Sequence, residues 1–211
     1  MTQTLNIPQG ETIERVLVDQ PELDWHIVQQ AHSVLRLHLV SFTSAKHTIW
    51  VEQQGEGCQT EIYGLTFVRN NETCTLNTRV HHNIGGGTSK QVVKFILGGE
   101  AKGEFFGELK IAPDAQQTAA QQTNRNILLS DKATMRTRPQ LEIYADDVKA
   151  SHGATTGQLD ESALFYMQQR GLSPEQGRQM LLQAFMADII DAITDEAQRT
   201  SLVNAIDTLL S

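Results

Sequence analysis

The chain has 211 residues, 39% of them hydrophobic and 6% aromatic, with a formal net charge of −8. That length supports one large domain, or a domain with an appendage, around a core of aliphatic side chains rather than rings. The acidic balance and scattered Lys and Arg exclude a phosphate-backbone binder, hence nucleic acid as a partner, and no apolar run reaches the roughly 20 residues of a membrane span.

The N-terminal stretch "MTQTLNIPQGETIERVLV" lacks the basic and apolar regions of a secretory leader. From there to about residue 159 the pattern alternates with period two. Leu35, Leu37 and Leu39 alternate with Arg36 and His38; Ile49 and Val51 alternate with Trp50 and Glu52. Leu76, Thr78 and Val80 continue the series, followed by Phe95 and Leu97, Leu109 and Ile111, and finally Leu141 and Ile143. Turn signals separate the runs: Gly55-Glu56-Gly57, Asn70-Asn71, Gly85-Gly86-Gly87, Gly98-Gly99, Pro113-Asp114, Asp131-Lys132 and Asp146-Asp147. They recur about every 15 residues, which fits a sandwich, a barrel or a β-solenoid. Asn-Gly and Asp-Gly hairpin turns are absent, which disfavours a meander. Patterning alone leaves sandwich and solenoid open. The polar stretch "DAQQTAAQQTNRNILLS" reads either as a loop or as a solenoid edge with inward Ala and Thr and a Gln or Asn ladder.

After residue 160 the period becomes helical. Asp160 caps "ESALFYMQQR" and Gly171 stops it. Ser173, Pro174 and Gln176 form a capping box with proline at the first helical position. An apolar stripe follows through Leu181, Leu182, Phe185, Met186, Ile189, Ile190 and Ile193. Thr194, Asp195 and Glu196 start a third helix with Leu202, Val203, Ile206, Leu209 and Leu210 on its apolar face. The chain thus divides into residues 1–159 and 160–211. The helical module is expected to cap the open end of the sheet, to dock a partner, or both.

Motifs of catalysis are missing: there is no GxSxG, Walker loop, GxGxxG or HExxH. "IGGGTSK" lacks the spaced Gly-Lys-Ser/Thr ending of a phosphate loop. Cys58 and Cys74 have no zinc spacing and read as reduced, half-buried strand residues. His81 and His82 are adjacent on a strand, so one is expected to face inward and hydrogen-bonded, the other outward. Asp146-Asp147 and Asp160-Glu161 read as turn and cap residues. His152 differs, because Ala150, Ser151, Gly153 and Ala154 leave its imidazole accessible. An accessible neutral imidazole is a good ligand for iron or zinc.

The segment "PQLEIYADDVKASHGATTGQLDESALFYMQQRGL" resembles the signature of the SufB/SufD family of iron–sulfur cluster assembly scaffolds, on the SufD-like side. The resemblance runs upstream through "VHHNIGGGTSKQVVKFILGGEAKGEFFGELKIAPDAQQTAAQQTNRNILLSDKA" and downstream through "SPEQGRQMLLQAFMADIIDAI", covering roughly residues 8–193. It implies a mainly β protein: a right-handed parallel β-helix followed by a small C-terminal α-helical domain. It also implies a non-catalytic, cytoplasmic scaffold that pairs with a SufB-like protein through the β-helix and forms a homodimer when isolated. A SufC-like ATPase would dock on the C-terminal helices, with Phe165, Tyr166, Arg170, Gly171, Leu182 and Phe185 as candidate contacts.

Carried onto this sequence, the Ser-His-Gly motif makes His152 a candidate iron or cluster-interface ligand. The SufB-type cysteine position is Ala133 in "SDKAT", and the thiol found before Ser-His in many SufD-like sequences is Ala150 here. From residue 75 onward there is no cysteine. The chain is therefore expected to hold no cofactor alone; an iron–sulfur cluster would form at an interface shared with a SufB-like partner. The chain is short for the family, as a compact form or a fragment without the usual N-terminal helical region and further coils. The alternatives are a cytosolic β-helical carbohydrate-active enzyme, or a purely structural β-solenoid.

Overall fold

A computed structural model of the protein describes residues 2–210. Twelve strands come first. The odd-numbered ones are β1 (Gln3–Ile7), β3 (Glu22–Gln29), β5 (Ala45–Gln53), β7 (Thr73–His82), β9 (Lys102–Ile111) and β11 (Thr134–Ile143). The even-numbered ones are β2 (Thr12–Val18), β4 (Val34–Ser41), β6 (Gln59–Val68), β8 (Thr88–Leu97), β10 (Thr118–Leu128) and β12 (Val148–Gly157). Three helices follow: α1 (Glu161–Gln169), α2 (Pro174–Ile190) and α3 (Glu196–Leu210).

Every strand pairs with the strand two places along the chain, and every pairing is parallel. The odd strands make one six-stranded sheet and the even strands another. Ala45 lies beside Cys74 and Thr73 beside Lys102, so the chain advances one coil per step of about 30 residues. This is a parallel β-helix, which decides between the solenoid and the sandwich. The turn signals stand at its corners.

Two cores result. The inner one fills the lumen between the sheets with Leu35, Leu37, Leu39, Ile49, Val51, Ile62, Phe95, Phe105 and Leu109. The alternating residues read from the sequence are these inward positions. At the last coil the alternation loses its cover: Leu141 is half-buried and Ile143 is 43% exposed, because no further strand lies beyond β11. "DAQQTAAQQTNRNILLS" contains β10, whose inward residues are Thr118, Ala120, Gln122, Asn124 and Asn126. Asn124 and Asn126 donate to each other's side-chain oxygens at 3.0 and 2.7 Å, which satisfies amides that would otherwise be costly to bury.

The second core lies outside the even sheet. Val40, Tyr63, Leu65, Phe67, Ile96 and Ile127 point outward and meet Leu182, Met186, Ile189, Ile190, Ile193, Leu202 and Ile206. The helical module therefore covers a face of the β-helix, rather than its open end as the strand pattern suggested. The middle strands of the even sheet are apolar on both faces, as parallel strands covered on both sides are. The caps match the sequence reading. Asp160 accepts from Ser162 N and Ala163 N, and Ser173 and Gln176 complete the capping box. Gly171 turns the chain at φ +92°, a left-handed position favouring glycine. Asp195 caps α3 through Ala197 N and Gln198 N, while Thr194 instead bonds Glu14 of β2. Val203 lies on the exposed side of α3, 37% accessible.

Candidate functional site at the open end of the β-helix

β12 pairs only with β10 and ends the even sheet. Its free edge carries unpaired backbone groups, a template for another strand. Small residues leave that edge unshielded: apart from half-buried Val148 and Ala150, every residue of the strand is exposed. β11 ends the odd sheet beside it.

His152 stands mid-strand, in register with Gln122 of β10. Neighbours in register share a sheet face. Gln122 points into the lumen, and Val148 and Ala150, of the same parity as His152, pack on the inner core. His152 therefore stands on the lumen side at the mouth of the β-helix, exposed. Behind it the column runs inward through Gln122, Gln91, Ile62 and Leu37. Thr78 Oγ1, from the opposite sheet, donates to Gln91 Oε1 at 2.6 Å.

The thiols lie elsewhere. Cys58 is fully buried and its Sγ donates to the carbonyls of Gly55 and Gln30 at 3.1 and 3.2 Å. Cys74 donates to Thr43 O, and burial pushes its thiol up to about 11, so it stays protonated at neutral pH. Ala133 is 4% exposed inside the last coil, and Ala150 is half-buried. Among the described residues no group of three or more His, Cys, Asp or Glu is placed to hold a metal ion. An iron-containing ligand at His152 would need its other donors from outside the chain.

Of the other histidines, His32 is exposed, while His26, His38, His47, His81 and His82 are hydrogen-bonded within the fold. His82 is fully buried and bonds Ser89 Oγ at 2.8 Å; His81 lies outward, 2.6 Å from Glu108. Burial pushes the His82 imidazole down to about 4, with His81 adding to the effect. His26 stacks on Trp50 at 4.3 Å and bonds Glu52. Two sites escaped the sequence pattern. His38, outward on β4 yet wholly buried, bonds Glu14, which accepts from Thr194 N and Oγ1. Lys94, also outward and 4% exposed, donates to Phe185 O and Asp188 at 2.6 Å each. The only sequence signal for either was a polar residue inside a run apolar on both sides.

The candidate docking residues divide. Phe165 and Tyr166 project from α1, 63% and 59% exposed, and Arg170 donates to the Tyr166 hydroxyl. Gly171 shapes the turn that follows. Leu182 is 4% exposed because its side chain is used against the even sheet. It also lines a cleft of about 820 Å³ beneath α1, shared with Arg69, Asp131, Glu161 and Arg178. Phe185 is half-buried with the Lys94 ammonium 4.8 Å from its ring.

Residues 23–185 match the SUF system FeS cluster assembly, SufBD core domain family. The chain belongs to the SufBD core family. It is 34% identical to iron-sulfur cluster assembly protein SufD of Escherichia coli over 87% of its length and 43% of that protein. An iron-sulfur cluster assembly SufBD family protein of Synechocystis is 38% identical over 71% of this chain and 33% of its own length. The chloroplastic protein ABCI7 of Arabidopsis thaliana is 33% identical over 89% of this chain and 40% of its own. The chain thus spans less than half the length of these relatives. The match includes the coils carrying the lumen column, the β12 edge with His152, and all of α1. No helix among the described residues is long and apolar enough to cross a membrane.

Proposed function

We propose that this SufBD-family chain is a SufD-like, non-catalytic scaffold of cytoplasmic iron–sulfur cluster assembly. It pairs with a SufB-like protein, and with a second copy when isolated, through the edge formed by β11 and β12. The cluster is cargo, built at that junction, with His152 as this chain's ligand and thiols from the partner. A SufC-like ATPase docks on α1, where Phe165, Tyr166 and Arg170 face solvent. The supporting observation is the position of His152: an exposed imidazole on the lumen face of an unpaired strand, in a chain of the cluster-assembly family.

Co-purification with SufB-like and SufC-like partners, followed by anaerobic iron–sulfur reconstitution, tests the reading. The wild type is expected to retain both partners and the complex to carry a cluster. His152→Ala is expected to keep the partners and lose at least tenfold in cluster retention, while Phe165→Ala with Tyr166→Ala loses only the ATPase. A wild type that binds neither partner overturns the scaffold; a His152→Ala complex with full cluster occupancy overturns the ligand role.

A further inference from the structure

Several surface cations of the β-helix are matched across neighbouring coils: Arg36 with Glu61 at 3.1 Å, Arg79 with Glu108 at 3.9 Å and Lys132 with Glu100 at 2.7 Å. The outer face of β8, β10 and β12 is different. These three strands hold Lys90, Lys94, Arg125 and Lys149 but no Asp or Glu, in a chain with 25 acidic residues against 17 Lys and Arg. Lys94 is taken up by Asp188 beneath the helices. Lys90, Arg125 and Lys149 are exposed and make no ion pair among the described residues. Lys90 has only the Tyr63 ring, 5.6 Å away.

The three cations share a side. Their chain neighbours Ser89, Gln91, Asn124, Asn126, Val148 and Ala150 turn into the lumen, so the cations turn outward. In register, Lys90 lies beside Gln121, which lies beside Ser151; Lys149 lies beside Ala119, and Arg125 beside Thr155. Lys90, Ala119, Gln121, Lys149 and Ser151 line a depression of about 450 Å³. Glu61, in register with Lys90, is held by Arg36, and Asp146 and Asp147 stand in the corner before β12. Unmatched like charges on one small face repel one another and favour an anionic neighbour. The face runs up to the free edge of β12, so whatever pairs with that edge brings its own flank alongside. A second copy would bring the same cations, and like charges across an interface are unfavourable. Three cations are too few for a nucleic-acid backbone, whose binders neutralise about 6–10 phosphates.

We propose that the outer face of β8, β10 and β12 is a recognition surface for a protein partner with an acidic flank. Lys90, Arg125 and Lys149 select that partner over a second copy of this chain. The inference rests on the reading of β12 as a pairing edge and adds the charge of the partner that the edge accepts. Complementary charge acts mainly on the rate of association and the choice of partner.

The test is stopped-flow association of the chain with its SufB-like partner at about 50 mM and about 500 mM salt, beside self-association by light scattering. Wild-type association is expected to slow about tenfold between the two salts. Replacing Lys90, Arg125 and Lys149 together by Gln should remove most of that dependence. Replacing all three by Glu should slow association at least tenfold at low salt. Self-association should run the other way: the Gln triple at least as tight as the wild type, and the wild type tighter with the Glu triple than with itself. Lys149→Glu alone should act in the same direction, should the triples fail to fold. Equal rates and salt dependence in the wild type and the variants overturn the proposal and leave the edge reading standing. Ala154→Lys adds a cation to β12 itself, so it weakens pairing only by obstructing the edge. If it has no effect while the triples act, the edge reading falls and the recognition surface stands. Self-association lost in the Gln triple would assign the face to a second copy. Competition by inorganic phosphate beyond that of chloride at matched ionic strength would assign it to a small anion. Either result overturns the proposal.

Discussion

At the scale of single residues, the buried imidazoles make stability depend on pH. His82 is neutral in the fold, with its pKa down to about 4, and His38 and His47 are lowered in the same direction by burial. An unfolded histidine titrates near 6.5. Between those values the unfolded chain binds more protons than the folded one. Stability is therefore complete above about pH 6.5 and falls as the pH drops toward 4. Glu14, whose pKa is lowered with Thr194 donating to it, is also destabilising once protonated, at lower pH. For His82 alone the loss amounts to about 3 kcal/mol across the window. Urea midpoints measured at pH 7.5, 5.5 and 4.5 should fall steadily in the wild type. His82→Gln keeps a polar group facing Ser89 but cannot protonate, and its profile should be flatter over the same range. Parallel profiles would show that His82 does not carry the linkage.

At the scale of elements, the strand alternation was readable because each inward residue sees the same lumen. Leu35, Leu37 and Leu39 need no knowledge of their neighbours to be assigned a common face. The coil itself was not readable from spacing. Pairing Thr73 with Lys102 is a nonlocal register, and sandwiches show the same period-two runs. Family resemblance supplied what patterning could not. The helix caps were legible because capping is local, as the Ser173–Gln176 box shows. In the sequence Thr194 reads as a helix start, because nothing local reveals that Glu14, far back in the chain, claims its N–H. The accessibility of His152 was legible from its small neighbours, but its lumen-side orientation follows only from the register with Gln122. The edge itself gives a prediction. Ala154→Lys adds a charge at an exposed position of β12, two residues from His152 and in register with Asn124 of β10. Edge charges block strand addition. The proposed homodimer and SufB-like association should each weaken at least tenfold by light scattering and calorimetry, with circular dichroism unchanged. Unaltered association would remove β12 from the interface.

At the scale of the whole molecule, the boundary near residue 160 separates two periodicities but not two cores. Met186 and Ile189 are fully buried, and they are buried against strands. Tyr63, Leu65 and Phe67, spaced two apart on β6, form the sheet's side of that contact. Each fully buried side chain of this size contributes about 1.5–3 kcal/mol, so losing the burial of a few of them is comparable to a net stability of about 5–15 kcal/mol. Polar ties cross it as well, from Lys94 to Phe185 O and Asp188 and from Thr194 to Glu14. The helices are thus part of the β-helix's fold, and force applied to α1 by a docked partner would reach the even sheet through α2. A chain ending at residue 159 should expose the β6 patch, bind a hydrophobic dye, and aggregate or unfold at lower urea than the full chain. Making the cut in the Ala154→Lys background removes association through the β12 edge from the outcome. Met186→Asp in the full chain should act in the same direction by burying an unpaired carboxylate in the seam. A truncated chain that stays monomeric, dye-free and as resistant to urea as the whole would mean that the helices are an appendage after all, with no purchase on the sheet they cover.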